Sequence, residues 1–274
     1  MDKEEMRSYT SYDNLCAKID KIAYTNALAK SSPVTKILFA LSSLVLNVST
    51  PSPLIPIIVF LINTILLIRF ANVPSKFYLN LLAYPTIIVA ISSLIIAMFF
   101  GQGEALIEIV LPWFRWTVFK NGVTMGITTF LRVEGALSCL YFLVLTTSIT
   151  DIFITLRKAH IPKILIEMSL LIYRYIFVFL EVEAQMNIAQ KLRLGHSNWK
   201  RRIRSLALLS GNLFIRTLEQ GERTFLAMNA RGYNGSIRTL DDLPQPKLVH
   251  LFGIVLFNFI LIFLTFFTMN LLIM

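Results

Sequence analysis

Cysteine and histidine are scarce in this chain, and the scarcity removes the chemistry that depends on them. The two cysteines, Cys16 and Cys139, fall in a polar N-terminal segment and in an apolar block. They are expected at different levels of the molecule, with no disulfide framework. The three histidines, His160, His196 and His250, lie far apart, and none has a second ligand at helical or loop spacing. A metal site built by this chain is therefore not expected. Nor is there a phosphate-cradling glycine loop with its lysine, or a nucleophile with a nearby base. Gly101-Gln102-Gly103 lacks the strand–turn–helix context of a nucleotide loop. No catalytic residue, cofactor or metal ligand is assigned, and any ATP this protein uses must be hydrolysed by a partner. Charge is sparse too, at 15% of residues, while hydrophobic residues make up 55% and the mean hydropathy is +0.66. These values lie outside the soluble range and point to an integral membrane protein.

The net charge of +10 is concentrated between the apolar blocks. Such an excess marks the cytoplasmic side of a membrane protein, facing anionic lipid or an acidic partner. Nucleic acid is not an expected partner, because the basic residues are interleaved with membrane-depth helices. Residues 1–33 show no signal-peptide pattern and are read as a cytoplasmic segment. Residues 34–150 are read as four transmembrane helices, at about 34–48, 54–70, 78–100 and 122–147. The first two are separated by Ser49-Thr50-Pro51-Ser52-Pro53, whose prolines cannot continue a helix; a single long kinked helix is the alternative. Pro85 is expected to kink the third span without ending it, since a neighbouring helix can satisfy the freed carbonyl. Residues 101–121, with Trp113 and Trp116 among balanced charges, suit a segment at the outer interface.

Residues 163–180 are apolar enough to suggest a further span, but topology argues against it. Were that segment to cross, Lys191, Arg193, Lys200, Arg201, Arg202 and Arg204 would lie outside. The only apolar stretch left to bring the chain back, 206–215, is about ten residues, against the roughly 17–25 required. Residues 151–247, with fifteen Lys/Arg against eight Asp/Glu, are therefore placed in the cytoplasm as long amphipathic helices packed on one another. Asp241-Asp242-Leu243-Pro244-Gln245-Pro246 breaks the chain before a fifth span at 248–274. The fold class is thus an all-α membrane protein of about five transmembrane helices plus a cytoplasmic domain of long amphipathic helices, in the cell membrane, with the N-terminus inside and the C-terminus outside.

Two kinds of residue stand out as functional candidates. Arg132 and Glu134 lie at membrane depth, where an unsatisfied ionisable group costs roughly 2.5–3.5 kcal/mol on insertion scales. Two residues apart, they face different sides of a helix and do not neutralise each other. Either each finds a polar partner in the bundle or they contact a substrate-carrying partner. Gly122 and Gly126 form a GxxxG pair, a motif common enough in membrane helices to add little. The second candidate is a pair of helix ends. Glu181, Gln185, Ala189 and Arg193 share one helix face, and Arg223, Ala227 and Arg231 another. Each line ends in an arginine preceded one turn earlier by alanine and followed by a glycine, Gly195 or Gly232. Alanine lets another protein approach closely while the guanidinium fork reaches carboxylates or helix-end carbonyls. Equally, the arginines complement helix macrodipoles, and residue chemistry alone does not separate the two readings.

Along the same residues the chain resembles the transmembrane T component of energy-coupling factor transporters, most closely the cobalt-type CbiQ branch of the CbiQ/EcfT family. The resemblance runs from Ile19-Asp20-Lys21-Ile22-Ala23-Tyr24-Thr25-Asn26 through Pro33-Val34-Thr35-Lys36. It becomes dense from Thr146-Thr147, through Leu156-Arg157, Ile161-Pro162, Tyr173-Arg174-Tyr175, Glu181 and Glu183. In that family two Ala-Arg-Gly motifs at the ends of coupling helices dock into a pair of ABC-type ATPases. Ala230-Arg231-Gly232 is similar to the second motif in full; Leu192-Arg193-Leu194 keeps only the arginine of the first, with Gly195 one position late. The resemblance implies a non-catalytic coupling subunit, transmitting ATP binding and hydrolysis to a separate substrate-binding S component. Cobalt is the favoured cargo; nickel, or a set of shared vitamin-binding subunits, is the alternative. A polytopic membrane enzyme is a remote third reading, for which His160, His196, Asp151, Asp241 and Asp242 show no suitable spacing.

Overall fold

The structure is a computed structural model and describes residues 18–29, 31–101, 105–111, 114–159, 161–235 and 244–273, with side chains omitted at 105–118 and 269–273. Cys16, His160, Trp113, the side chain of Trp116 and the Asp241-Asp242 breaker therefore lie outside what it describes. After a helical stretch at 18–25 come α1 (Pro33–Ser49), α2 (Leu54–Ile65, continued by a π-helical turn over Leu66–Phe70), α3 (Ser75–Phe99), β1 (Ala105–Leu111), β2 (Phe114–Phe119) and α4 (Lys120–Thr146). Then follow α5 (Ile149–Lys158), α6 (Lys163–Leu192), α7 (Trp199–Ala230) and α8 (Leu248–Ile273). The protein is all-α in class, with one addition to the sequence reading. β1 and β2, rich in β-branched and aromatic residues that suit a strand, pair antiparallel, with Leu111 opposite Phe114 and Glu108 opposite Thr117.

Among the described residues three helices, α3, α4 and α8, are long and apolar enough to cross a membrane, whereas α6, at thirty residues, is not one of them. The prolines at 51 and 53 separate α1 from α2, as their missing N–H groups require. Pro33 opens α1 in the first helical turn, where a missing donor costs nothing. The described residues outside 153–235 gather around α4, which packs against α1, α2 and α3. One apolar cluster there includes Leu67, Tyr78, Phe142 and Leu145, and another Ile55, Val59, Cys139 and Leu261.

Close backbone approach and polar side chains both lock this bundle. A Cβ on Gly122 would come within 2.8 Å of the Ala97 carbonyl oxygen, and one on Gly126 within 2.8 Å of the Ala97 side chain. Ser93 Oγ donates to the Gly126 carbonyl at 2.7 Å, so the GxxxG pair is where α3 and α4 meet backbone to backbone. Pro85 sits inside an unbroken α3 and has no N–H for the Leu81 carbonyl one turn back. That carbonyl instead accepts the Tyr141 hydroxyl of α4 at 3.1 Å. The last turn of α4 leaves unpaired carbonyls of its own. Asn26 Nδ2 donates to Leu145 O at 2.9 Å and the buried Lys36 ammonium to Thr146 O at 2.8 Å. The cation at a helix C-terminus is also favourable for the dipole. Ser148 Oγ then accepts the Asp151 N–H at 3.1 Å and opens α5.

Residues 153–235 form a second compact unit. Within it α6 and α7 are joined by a short loop and pack on each other. Ile166, Asn187, Ser205 and Leu209 are buried. Tyr175 and Thr224 share a hydroxyl–hydroxyl bond of 2.5 Å across the pair.

Candidate functional site

The two arginine-ended helices finish in the same way. Arg231 is the C-cap residue of α7, with φ −91° and ψ 11°. Gly232 follows in the left-handed region at φ 76°. Tyr233 N–H bonds to Met228 O at 3.0 Å and Gly232 N–H to Asn229 O at 3.0 Å. These are the two bonds of a Schellman motif, which satisfies the orphan carbonyls of the last turn. At the end of α6, Arg193 is the C-cap residue with φ −88° and ψ 17°. Gly195 N–H bonds to Gln190 O at 2.9 Å and Leu194 N–H to Lys191 O at 3.0 Å, completing the same motif. The left-handed position, however, is held by Leu194 at φ 57°. The displaced glycine thus leaves the backbone around Arg193 unchanged.

Gly195 serves a different need. A Cβ there would lie 2.5 Å from Ser205 Oγ and 2.9 Å from Gln190 O. Ser205 Oγ donates to Gly195 O at 3.0 Å, so the glycine lets the α6–α7 loop settle on α7. Around Gly232 nothing lies within 4 Å of a would-be Cβ; there the glycine serves only the positive φ.

Both lines of residues face outward. Glu181, Gln185, Ala189 and Arg193 are exposed on α6, and Arg223, Ala227, Ala230 and Arg231 at the end of α7, with Gly232 beyond. The second end is tied back to the start of α6, because Tyr233 donates its hydroxyl to Glu167 Oε2 at 3.0 Å. That hydrogen bond to a carboxylate raises the Tyr233 phenol above its ordinary value near 10. Beside it opens a cleft of about 960 Å³ whose lining includes Arg174, Tyr175, Arg223, Ala227 and Arg231. In the sequence, Arg174 stands out only within the family-like run Tyr173-Arg174-Tyr175, and Tyr233 carries no assigned role. The usable signal was a tyrosine directly after a C′ glycine, in the position whose N–H closes the motif.

Arg132 and Glu134 are on α4, in the other compact unit. Arg132 Nη2 donates to Thr50 O, at the C-terminus of α1, at 2.8 Å. Asn47 Nδ2 donates to the Arg132 carbonyl at 2.8 Å. Glu134 is 7% exposed, and its Oε1 has no hydrogen-bond partner among the described residues. Arg132 thus has a polar partner at the end of α1, which Glu134, two residues further along α4, does not share.

The chain matches the family model described as CbiQ, cobalt transport protein, over residues 25–240. It is 37% identical to an uncharacterised protein of Methanocaldococcus jannaschii over 91% of this chain and 93% of the relative. It is 29% identical to the cobalt transport protein CbiQ of Rhodobacter capsulatus, over 84% and 90% of the two chains. To the energy-coupling factor transporter transmembrane protein EcfT of Staphylococcus aureus it is 25% identical, over 75% and 79%. With three helices among the described residues apolar enough to span a membrane, the family match across most of the chain places this protein in the CbiQ/EcfT family of transmembrane transporter components.

Proposed function

We propose that this protein is the coupling subunit of an energy-coupling factor importer, transmitting ATP binding and hydrolysis from a pair of ABC-type ATPases to a substrate-binding membrane subunit, with cobalt as cargo. The observation that carries the reading is the repeated helix end. Arg193 and Arg231 hold the same backbone position in two copies of one capping motif. Each is exposed and preceded one turn earlier by an exposed alanine, Ala189 or Ala227. Two such ends suit two similar grooves on a paired partner, and the guanidinium fork suits acidic side chains or helix-end carbonyls there.

In this reading α1, α2, α3, α4 and α8 cross the membrane and residues 151–247 lie in the cytoplasm, with the N-terminus inside and the C-terminus outside. α1, at seventeen residues, is about 25 Å long and slightly short for a bilayer core of about 30 Å. The excess of basic residues between 151 and 247 supports the cytoplasmic placement. Cobalt is favoured by the family model and by the name of the R. capsulatus relative. The likeness to EcfT supports a second reading, a coupling subunit shared among several substrate-binding subunits.

Co-purification with the ATPase pair tests the docking role. Arg193→Glu and Arg231→Glu are each expected to lower recovery of the complex and to reduce uptake. Unchanged complex and uptake in both would exclude docking through these ends. A cysteine replacing Ser197, labelled from outside intact cells by an impermeant reagent, would overturn the topology.

A further inference from the structure

We infer that the cleft between α6 and α7 is a carboxylate-binding site, in which Arg174 and Arg223 join Arg231 to hold an acidic segment of the ATPase partner. The inference rests on the proposed docking role and extends it from one residue to a three-arginine clamp. Arg174 comes from α6 and Arg223 and Arg231 from α7, so guanidinium groups approach one cleft of about 960 Å³ from both of its helical walls. Ala227 lies between Arg223 and Arg231 on the same face, and its short side chain leaves the cleft open there. The walls are held in place by the bonds of Tyr175 to Thr224 and Tyr233 to Glu167.

The charges in this cleft are poorly compensated from within. Arg223 pairs with Glu219 at 3.2 Å, with side chains 72% and 54% exposed. Such an exposed pair on one helix is weak and exchanges readily for a better-placed acid. Among the described residues neither Arg174 nor Arg231 has an acidic side chain within ion-pair distance. Three like charges around one cleft favour an arriving anion, and arginine forks bind carboxylates two hydrogen bonds at a time. Guanidinium, hydroxyl and amide groups bind phosphate as readily as carboxylate, so a protein carboxylate is assigned over a phospholipid headgroup because the cleft is continuous with the proposed ATPase-docking end. The lining is mainly hydroxyl, amide and guanidinium groups, and it includes Arg231, the residue proposed to meet the ATPase. Arg193 lies outside this cleft, so the two helix ends would differ in electrostatic grip despite their shared backbone.

The test uses the full-length protein in detergent with the purified ATPase pair, measuring the dissociation constant across a range of salt concentrations. Arg174→Gln and Arg223→Gln replace exposed side chains, and circular dichroism confirms that each variant is folded. Each is expected to weaken binding about tenfold and to flatten the dependence of affinity on salt; Arg174→Lys is expected to recover only part of the loss. Binding unchanged in both glutamine variants, while Arg231→Glu abolishes it, would overturn the clamp and leave the docking role standing. Binding unchanged in Arg231→Glu as well would remove both. Unchanged ATPase binding together with lost binding to phosphatidylglycerol–phosphatidylcholine vesicles would assign the cleft to lipid instead.

Discussion

Arg193 and Arg231 are backbone equivalents: both are C-cap residues with φ and ψ within a few degrees of each other, although leucine follows one and glycine the other. A leucine at positive φ brings its Cβ against the neighbouring carbonyl, at a cost of roughly 1–2 kcal/mol. Replacing Leu194 with glycine relieves that strain, offset in part by the extra freedom glycine gives the unfolded chain. Leu194→Gly is expected to stabilise the protein by about 0.5–1 kcal/mol, and Gly232→Leu to destabilise it by a similar amount. Thermal unfolding in detergent checks both signs. Because the arginine backbone is already in place, Leu194→Gly should leave recovery of the ATPase complex unchanged.

The two glycines that flank these arginines should respond differently to alanine. At Gly232 the penalty is conformational only, and about 1 kcal/mol is expected. At Gly195 a Cβ meets Ser205 Oγ at 2.5 Å and Gln190 O at 2.9 Å. Gly195→Ala must therefore push the loop away from α7 and break the Ser205 bond, a larger loss of about 2–3 kcal/mol. Ser205→Ala removes one obstacle but not the carbonyl, so the double variant should recover only part of the loss. Full recovery would show that the carbonyl contact is not limiting.

Within the membrane bundle, Pro85 and Tyr141 should be energetically coupled. Tyr141→Phe leaves the Leu81 carbonyl without its donor, at a cost of about 1 kcal/mol. Pro85→Ala restores a backbone N–H one turn from Leu81, so Tyr141→Phe should cost much less in that background. A double-mutant cycle on unfolding free energies measures the difference. Additive effects would mean that the hydroxyl does not stand in for the missing amide.

Hydropathy and proline placement made the helical class readable, because apolar runs of spanning length and missing amide donors act locally. The paired arginine ends were readable for the same reason: an i, i+4 line ending in arginine and glycine is a one-dimensional pattern. The capping geometry at Arg193 was not, since nothing local announces that Leu194 rather than Gly195 turns left-handed. The steric demand on Gly195 comes from Ser205, ten residues away. Lys36 on Thr146 O and Arg132 on Thr50 O were equally hidden, as each joins helices distant in sequence. The strand pair of β1 and β2 was not legible because tryptophan and mixed charge describe an environment, an interface, and not a backbone conformation.

Tyr233 gives the second arginine end a dependence on alkaline pH. Its hydroxyl donates to the Glu167 carboxylate, which holds the phenol proton above the ordinary value near 10. A group whose folded value is raised contributes stability that is fully present below the unfolded value and is lost as pH rises through the folded one. The stability difference between the native protein and Tyr233→Phe should therefore stay constant from neutral pH to about 10 and close above it, as the phenolate and the carboxylate repel. Unfolding midpoints of the two proteins, followed between pH 8 and pH 11.5, test this on the alkaline side. No difference at neutral pH would mean that Tyr233 stabilises the α7 end by packing and backbone closure alone, which phenylalanine keeps, and a difference that persists unchanged at the highest pH would mean that it does not come from the protonated phenol's bond to Glu167.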